Sequence, residues 1–224
     1  MRMGFVWEEL MNYKAYLVDS GKRMLHKGLT VETWGNLSVR DPETGLVYLT
    51  PSAMPYDSIC EDDVVVMRTD GTRVEGTRKP TVECGLHLGI YRARPEINAV
   101  IHTHPIYSLV FAVQHRDIPP IIDEAAQIFG GTVHTAKYAL PGSEELARYT
   151  LEALGEKGMA CLLANHGAVC LGKDMEKAFR TCTVLEMTAQ VYQMALTTGT
   201  PQTISDENVA FMKDFMDHHY GQGK

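Results

Sequence analysis

The sequence predicts an α/β protein with a three-layer α/β/α fold and a largely antiparallel central sheet. In the first third of the chain, short strand-forming segments are separated by turn sequences, which indicates hairpins and therefore antiparallel pairing. Segments with apolar residues at helical spacing alternate with these strands. Later in the chain, short continuous apolar runs are typical of buried strands, so helices are expected to cover the sheet.

The first half of the chain is predicted to contain two helices and the hairpins. Residues 7–27 carry apolar side chains at helical spacing and end at Gly28, which predicts an amphipathic opening helix. Strand-forming segments next to turn sequences predict the hairpins: the strands are residues 46–50 and 63–68, and the turns are residues 41–45 and 69–72. Thr81 is a suitable helix cap, and a helix is predicted from there to about residue 94.

The second half is predicted to alternate apolar strands with helices. The strands are predicted at residues 99–104, 132–135, 159–164 and 168–171. The helices are predicted at residues 106–113, 143–154, 174–196 and 206–218, with Ser143 as the cap of the second. Asp123 and Glu124 interrupt an apolar stretch, which indicates either a solvated segment or acids that face a site.

Composition limits the classes of function. The length of 224 residues with 45% hydrophobic content is typical of a single domain, expected to span residues 1–224. The net charge of −7 argues against nucleic-acid binding. No apolar run reaches the about 20 residues of a membrane helix, and Glu8 and Glu9 do not suit a signal peptide. Five scattered cysteines indicate reduced thiols, so a cytoplasmic protein is expected.

A pair of histidines at the end of an apolar run is the most informative feature of the sequence. His102 and His104 follow residues 99–101, and side chains two apart in a strand lie on the same face. Pro105 marks the end of the strand, where side chains are free to bind a ligand. Two neutral imidazoles at this spacing form half of a site for zinc or a similar divalent ion.

Three further residues have more than one interpretation. Glu83 is either a carboxylate that complements the helix dipole or a catalytic base, and the residues alone favour neither. His87, one turn later, is interpreted as an ordinary helix histidine. His166 follows a buried strand and by itself is more typical of a satisfied core histidine. Because three histidines share a strand-end setting, however, a common metal site is favoured.

Five separated motifs resemble those of the class II aldolase/adducin family in order and spacing. They are Gly-Asn-x-Ser at 35–38, Thr-Pro-Ser at 50–52, Lys-Pro-x-x-Glu at 79–83, His-x-His at 102–104 and Asn-His-Gly at 165–167. Glu83 precedes His102 by 19 positions, and His166 follows His104 by 62 positions. The resemblance extends from the first predicted helix to the last.

The resemblance implies a metal site and a base. It implies that zinc, or another divalent cation such as manganese or cobalt, binds to His102, His104 and His166. It also implies that Glu83 is the catalytic base, and possible ligand of the substrate-free metal, as in the family's aldolases. The family's epimerases carry Asp at that position, so an aldolase is favoured.

The resemblance also implies a phosphate site and a proton donor. The residues that match the phosphate site are Thr33, Gly35, Asn36, Ser52, Ala53 and Thr81. Two departures leave open whether the substrate carries phosphate: Val82 and Ala53 stand where the fuculose-phosphate type of sequence has Ser and Gly. Candidate donors are Tyr220, in a Tyr-Gly tail expected to close over the metal, and Asp123 or Glu124 from a neighbouring subunit.

The implied activity is the reversible cleavage of a short ketose phosphate, such as L-fuculose 1-phosphate. The products would be a dihydroxyacetone-phosphate-type fragment and an aldehyde, formed through a metal-stabilised enediolate. Decarboxylation or dehydration of a related sugar-acid or ketose phosphate is the alternative, and a non-catalytic adducin-like binding protein is the second. The resemblance implies a homotetramer with active sites between subunits.

Overall fold

The computed structural model describes residues 11–221, which form seven α-helices and eight β-strands. The helices are α1 (Tyr13–His26), α2 (Cys84–Ala93), α3 (Ile106–Gln114), α4 (Asp123–Phe129), α5 (Glu144–Leu154), α6 (Met175–Thr198) and α7 (Asp206–His218). The strands are β1 (Asn36–Arg40), β2 (Val47–Leu49), β3 (Val65–Met67), β4 (Arg73–Glu75), β5 (Ala99–Thr103), β6 (Thr135–Ala136), β7 (Ala160–Leu163) and β8 (Gly167–Gly172). None of these helices combines the length and apolar character needed to cross a membrane.

All eight strands form one sheet in the order β4-β3-β2-β1-β5-β8-β7-β6. Each neighbouring pair is antiparallel except β6 and β7, which are parallel. The predicted largely antiparallel sheet is therefore confirmed. The strand β5 lies in the middle, with Asn36 of β1 opposite His102 on one side and Val169 of β8 opposite His102 on the other.

Helices cover both faces of the sheet, which confirms the three-layer architecture. Alternation along β5 shows the two cores: Ile101 packs in a cluster with residues of α1, α3 and α6, whereas Val100 packs in a second cluster with residues of α2 and α5. Both side chains are completely buried. Since His102 follows Val100 by two positions, its side chain points to the α2 side of the sheet.

Several elements differ from their predicted bounds. The structure begins α1 at Tyr13 with Asn12 as the cap, and residues 7–10 of the predicted helix lie outside the described residues. Thr81 lies two residues before the N-cap of α2: its hydroxyl accepts from the Glu83 N–H at 3.4 Å, and its backbone N–H donates to the carbonyl of Thr50 at the end of β2. Glu83 holds the N-cap position instead. The helix α4 was not predicted.

The strand predicted at residues 132–135 is also displaced. Val133 exchanges backbone hydrogen bonds with Ile118 in an isolated bridge, which separates it from the main sheet. Regular pairing with β7 begins only at Thr135. The helices predicted near 106–113, 143–154, 174–196 and 206–218 all form, and Ser143 caps α5 by accepting a hydrogen bond from the Leu146 N–H.

The polar segments that were predicted to be functional lie together at one end of the strands. Because β5 is antiparallel to both neighbours, the carboxyl end of β5 lies beside the amino ends of β1 and β8. The amino end of α2 also lies here, since Thr81 is bonded to the end of β2. We call this end of the central strands the histidine pole, and the candidate active site lies there.

Candidate active site

Three histidines converge at the histidine pole. His102 is the fourth residue of β5, His104 follows the end of that strand, and His166 lies in the turn between β7 and β8. One ring nitrogen from each lies within 4.8 Å of the others. The turn is tight: Asn165 adopts a left-handed conformation with φ 56°, and a side chain on Gly167 would lie 2.4 Å from the Thr103 carbonyl oxygen.

The orientation of His102 leaves one ring nitrogen free for a ligand. Its Nδ1 donates to the backbone carbonyl of Ala168 at 3.0 Å, so the neutral ring presents the lone pair of Nε2 to the site. The Nε2 atom of His104 lies 2.9 Å from it. A backbone carbonyl that fixes the orientation of a ligand imidazole is a common arrangement around protein-bound metals.

The Glu83 carboxylate lies among these imidazoles. Its Oε2 is 3.1 Å from His102 Nε2, and its Oε1 is 3.2 Å from His166 Nε2. The Asn36 side-chain N–H donates to Oε2 at 2.8 Å, and the carboxylate is only 3% exposed. The structure therefore places the acid of the Lys-Pro-x-x-Glu motif directly beside the three histidines.

The donor set fits a divalent cation. Glu83 Oε1 is buried without a hydrogen-bond partner among the described residues. Carboxylate oxygens and the bare Nε2 atom of His102 repel one another at about 3 Å unless they share a positive charge. Three imidazoles with an adjacent carboxylate suit zinc and similar first-row ions.

Burial keeps the imidazoles in their neutral, metal-binding form. It lowers the pKa of His102 to about 4, while burial and repulsion from His102 and His166 lower the pKa of His104 to about 3. Burial and repulsion from His102 lower the pKa of His166 to about 4, against the attraction of Glu83. Near neutral pH all three rings therefore carry lone pairs without first having to lose a proton.

The residues matched to the phosphate site lie at the same pole but differ in what they offer. Gly35 has φ 68°, and a side chain there would lie 2.7 Å from the His102 carbonyl oxygen. Ser52 is tied to the Lys-Pro-x-x-Glu segment because its N–H donates to the Lys79 carbonyl. The Asn36 amide is occupied on both sides, since it donates to Glu83 and its Oδ1 contacts His87. In this structure Asn36 therefore serves the carboxylate.

Two departures from the resemblance have structural consequences. Ala53 adopts a left-handed conformation with φ 55°, which glycine adopts with much less strain. The backbone thus keeps the shape that glycine would favour although the residue has changed. The Val82 side chain is 63% exposed, so it presents an apolar surface next to Glu83. Thr33 is half-buried in the preceding loop, and Thr81 is buried.

The three candidate proton donors do not contact the histidine cluster within one chain. Asp123 and Glu124 are exposed at the amino end of α4. Tyr220 lines a groove with Arg94, Met159 and Lys173, which flank the opposite ends of the central strands. Within one chain, α7 packs against α4 and directs the tail to the strand ends opposite the histidine pole, so closure of the tail over the metal stays a prediction.

Two contributors were missed from the sequence. His87 is completely buried, and its ring nitrogens contact Asn36 and Ser38 rather than solvent. The sequence shows Gly167 only as part of a motif, whereas in the structure its lack of a side chain lets His102 and His104 approach. The spacing of His87 one turn after Glu83, and of Ser38 two residues after Asn36, was the available signal.

Comparisons with known proteins agree with this geometry. The class II aldolase and adducin N-terminal domain family matches residues 15–193. The chain belongs to this family. A 5-deoxy-D-ribulose 1-phosphate aldolase from Bacillus thuringiensis serovar kurstaki (strain ATCC 35866 / NRRL B-4488 / HD73) is 35% identical over 214 residues, which cover 95% of this chain and 99% of that protein. The L-fuculose phosphate aldolase of Escherichia coli (strain K12) is 33% identical over 196 residues, covering 87% and 89%.

A solved structure shows the same fold. An L-fuculose 1-phosphate aldolase superposes with a TM-score of 0.89 at 36% identity, covering 93% of this chain and 97% of that chain. The resemblance inferred from the five motifs is confirmed. The protein is a class II aldolase, a metal-dependent lyase.

Substitution of Gly167 by Ala is expected to weaken metal binding by the aldolase about tenfold or more. The added Cβ would lie 2.4 Å from the Thr103 carbonyl oxygen and 3.2 Å from ring atoms of both His102 and His104. Chelator competition on purified protein would measure the change. Gly131→Ala is the matched control, because a Cβ there has open space, and it should bind metal as the wild type does. Equal affinity in the two variants would contradict the packing argument.

The metal-free aldolase is expected to lose stability as the pH falls from about 6.5 towards 4. The buried histidines have pKa values near 3 to 4, below the about 6.5 of an unfolded chain, so the unfolded state binds more protons in this range. Denaturant titrations at several pH values would measure the free energy of unfolding. The pKa values of Asp41 and Asp63 are also lowered, but these acids change the free energy of unfolding at a lower pH than the histidines do. A free energy of unfolding that stays constant between pH 6.5 and 4.5 would contradict the prediction.

Proposed function

We propose that this aldolase reversibly cleaves a short ketose 1-phosphate, of the L-fuculose or 5-deoxyribulose type, into a dihydroxyacetone-phosphate-type fragment and an aldehyde. The observation that carries the proposal is the position of Glu83 between the Nε2 atoms of His102 and His166. A base at that point lies beside any hydroxy-ketone that the metal holds. Relatives at 35% and 33% identity with names of this activity support the substrate class.

Zinc is the proposed ion, with His102, His104 and His166 as its ligands and Glu83 as a further ligand before substrate binds. The choice rests on the three neutral imidazoles, because zinc binds imidazole more readily than magnesium or calcium does. When bound, the ion supplies Lewis-acid polarisation of the substrate's adjacent carbonyl and hydroxyl oxygens. The His166 side chain is 13% exposed, so the cluster is open on one side, as a catalytic site must be and a purely structural site need not be.

Glu83 is proposed to move the proton of the reaction. In the synthetic direction its carboxylate removes a proton from the carbon next to the ketone, and in cleavage it returns that proton. Its almost complete burial keeps bulk water away from the reacting carbon. The deprotonated carbon then adds to the aldehyde rather than taking a proton from water. The N–H of Asn36 keeps one carboxylate oxygen in place during this transfer.

The substrate's phosphate is proposed to bind beside Glu83, between the segments that contain Thr33, Ser52 and Thr81. The bond from the Ser52 N–H to the Lys79 carbonyl holds two of these segments together. The amino end of α2, an end that attracts anions, lies at the same place. Gly35 and Ala53 supply left-handed backbone in the two adjoining loops.

A second reaction is favoured by Val82. Its exposed apolar side chain removes a hydroxyl from the phosphate side of the site, and one N–H of Asn36 is used by Glu83. The same metal and base would serve decarboxylation or dehydration of a related sugar-acid or ketose phosphate, because these reactions, like cleavage, pass through an enediolate-type anion of the substrate. The substrate panel described below separates these reactions.

The active unit is proposed to be a homotetramer with sites between subunits. Three large apolar side chains are exposed in segments next to the site: Trp34 at 57%, Val82 at 63% and Ile106 at 74%. Such exposure beside a catalytic cluster supports coverage by another subunit. Tyr220, or alternatively Asp123 or Glu124, is proposed to reach the site from that subunit as the proton donor.

A cytoplasmic location is also proposed. All five cysteines are free thiols, and three of them, Cys161, Cys170 and Cys182, are buried. Free thiols are the usual state in a reducing compartment.

Replacement of Glu83 by Gln is expected to lower kcat by at least about 100-fold, since the amide keeps the shape but cannot accept the proton. The measurement is turnover of wild type and variant on a panel of ketose 1-phosphates, free ketoses and keto acids. Glu152→Gln, which changes an exposed acid of α5, is the matched control and should retain wild-type turnover.

The panel has outcomes that reject each part of the proposal. Unchanged turnover in Glu83→Gln would exclude Glu83 as the base. If the enzyme releases carbon dioxide from keto acids, or water from ketose phosphates, without forming an aldehyde, the proposal of cleavage is rejected and the second reaction takes its place.

Removal of the residues after Phe215 is expected to reduce turnover severalfold or more while the zinc content is kept. The reason is that Tyr220 would no longer reach the neighbouring site. Light scattering should give a mass of four chains for both the truncated and the full-length protein. A mass of one chain would exclude shared sites, and full activity of the truncated tetramer would exclude Tyr220 and direct attention to Asp123 and Glu124.

A further inference from the structure

A chain of buried side chains runs from α2 across β1 to the Glu83 carboxylate. Tyr91 Oη lies 2.8 Å from Ser38 Oγ, which lies 2.7 Å from His87 Nδ1. His87 Nε2 lies 2.5 Å from Asn36 Oδ1, and the Asn36 N–H donates to Glu83 Oε2 at 2.8 Å. All five residues are less than 9% exposed. We call this set of residues the His87 chain.

The chemistry of the groups determines the direction of each hydrogen bond from Ser38 to Glu83. A carboxylate only accepts, so the Asn36 amide must turn its NH₂ group to Glu83 and its Oδ1 to His87. Since Oδ1 also only accepts, His87 Nε2 carries the proton. A neutral ring then has a bare Nδ1, which accepts from the Ser38 hydroxyl. Tyr91 Oη donates to the Ser38 backbone carbonyl at 3.0 Å and also lies beside Ser38 Oγ, so from Ser38 onwards each donor points towards Glu83.

His87 is the member that holds the Asn36 amide from the side opposite Glu83. Without the Nε2 proton, Asn36 Oδ1 would be buried without a donor, and only the Glu83 carboxylate would hold the amide. The amide would then be able to shift, and it would no longer fix the carboxylate beside His102 and His166. Burial, and secondly repulsion from His102, lowers the pKa of His87 to about 3, which is consistent with the neutral ring that this arrangement needs.

We propose that His87 is a positioning residue of the aldolase: it orients the Asn36 amide, and the amide holds the Glu83 carboxylate between His102 and His166. The proposal rests on the proposed role of Glu83 as the base, and it adds a residue whose side chain contacts Asn36 and Ser38 rather than the Glu83 carboxylate or the three histidines.

Two substitutions of similar size separate positioning from packing. The side-chain nitrogen of Gln reaches about as far as Nε2 of His, so His87→Gln keeps a donor for Asn36. The shorter Asn side chain reaches only the place of Nδ1, so His87→Asn keeps a partner for Ser38 and loses the donor for Asn36. Ile90→Val, in the buried part of the same helix, controls for general loosening of α2.

The first measurement is steady-state kinetics with metal analysis. His87→Asn should lower kcat about 10- to 100-fold, the range seen for residues that orient functional side chains, with KM and zinc content within about twofold of wild type. His87→Gln should recover most of the lost kcat, and Ile90→Val should retain it. Equal losses in His87→Asn and His87→Gln would overturn the proposal, as would a loss that follows the zinc content.

The second measurement does not depend on turnover. Crystal structures of the metal-free variants should show the Glu83 carboxylate displaced from His102 and His166 in His87→Asn and in place in His87→Gln. If both variants keep Glu83 in place, positioning by His87 is excluded whatever the kinetics show. If wild type cleaves no ketose phosphate yet Glu83 moves in His87→Asn alone, the proposed function fails and the positioning role stands.

Discussion

The pairing of β5 with β1 and β8 is the constraint on which the site depends. Antiparallel register sets Asn36 opposite His102 on one side and brings the Ala168 carbonyl to His102 Nδ1 on the other. A shift of one residue in either ladder would turn His102 to the opposite face of the sheet, away from α2. The metal-binding geometry is therefore a consequence of strand register in the centre of the sheet, where both neighbours hold β5 in place.

A second constraint is the burial of an acid at a helix end. A carboxylate that is 3% exposed has lost most of its hydration, which costs several kcal/mol unless other groups replace the water. Here one N–H from Asn36 replaces part of it, while the nearby imidazoles are neutral. The remaining deficit is the physical reason that this arrangement attracts a cation. Metal affinity and the position of the base thus share one cause.

The two ends of the central strands have different roles. Left-handed backbone at Gly35, Ala53 and Asn165 lets three loops turn closely around the histidine pole. At the opposite end, Tyr220 and the end of α7 line a groove with charged residues. The chain therefore separates its metal-binding end from its tail, and contact between them requires a second copy of the protein. The alanine at position 53 shows that this backbone shape persists where the resemblance would place glycine.

Local pattern was sufficient for part of this molecule. The spacing of His102 and His104, the apolar run before His166 and the cap at Ser143 each depend on neighbours in the chain, so strand, helix and ligand assignments could be made from the sequence. Motif order added the family and the proposed role of Glu83. Capping by Thr81 was wrong because pairing with Thr50, a residue 31 positions earlier, decided its conformation. The displaced strand at Thr135 has the same origin, since Ile118 holds Val133 outside the ladder.

What only the tertiary structure decided is which buried polar groups meet. Nothing in the local sequence of His87 distinguishes it from an ordinary helix histidine, because its partners Asn36 and Ser38 lie about 50 residues away on β1. The direction of the Asn36 amide follows from its contacts with Glu83 and His87. Tyr220 likewise could not be located from its motif, since the packing of α7 on α4 sets its position. Residue type and spacing determined the chemistry of this protein, whereas long-range packing determined where that chemistry is aimed, because hydrogen-bond partners are chosen in space.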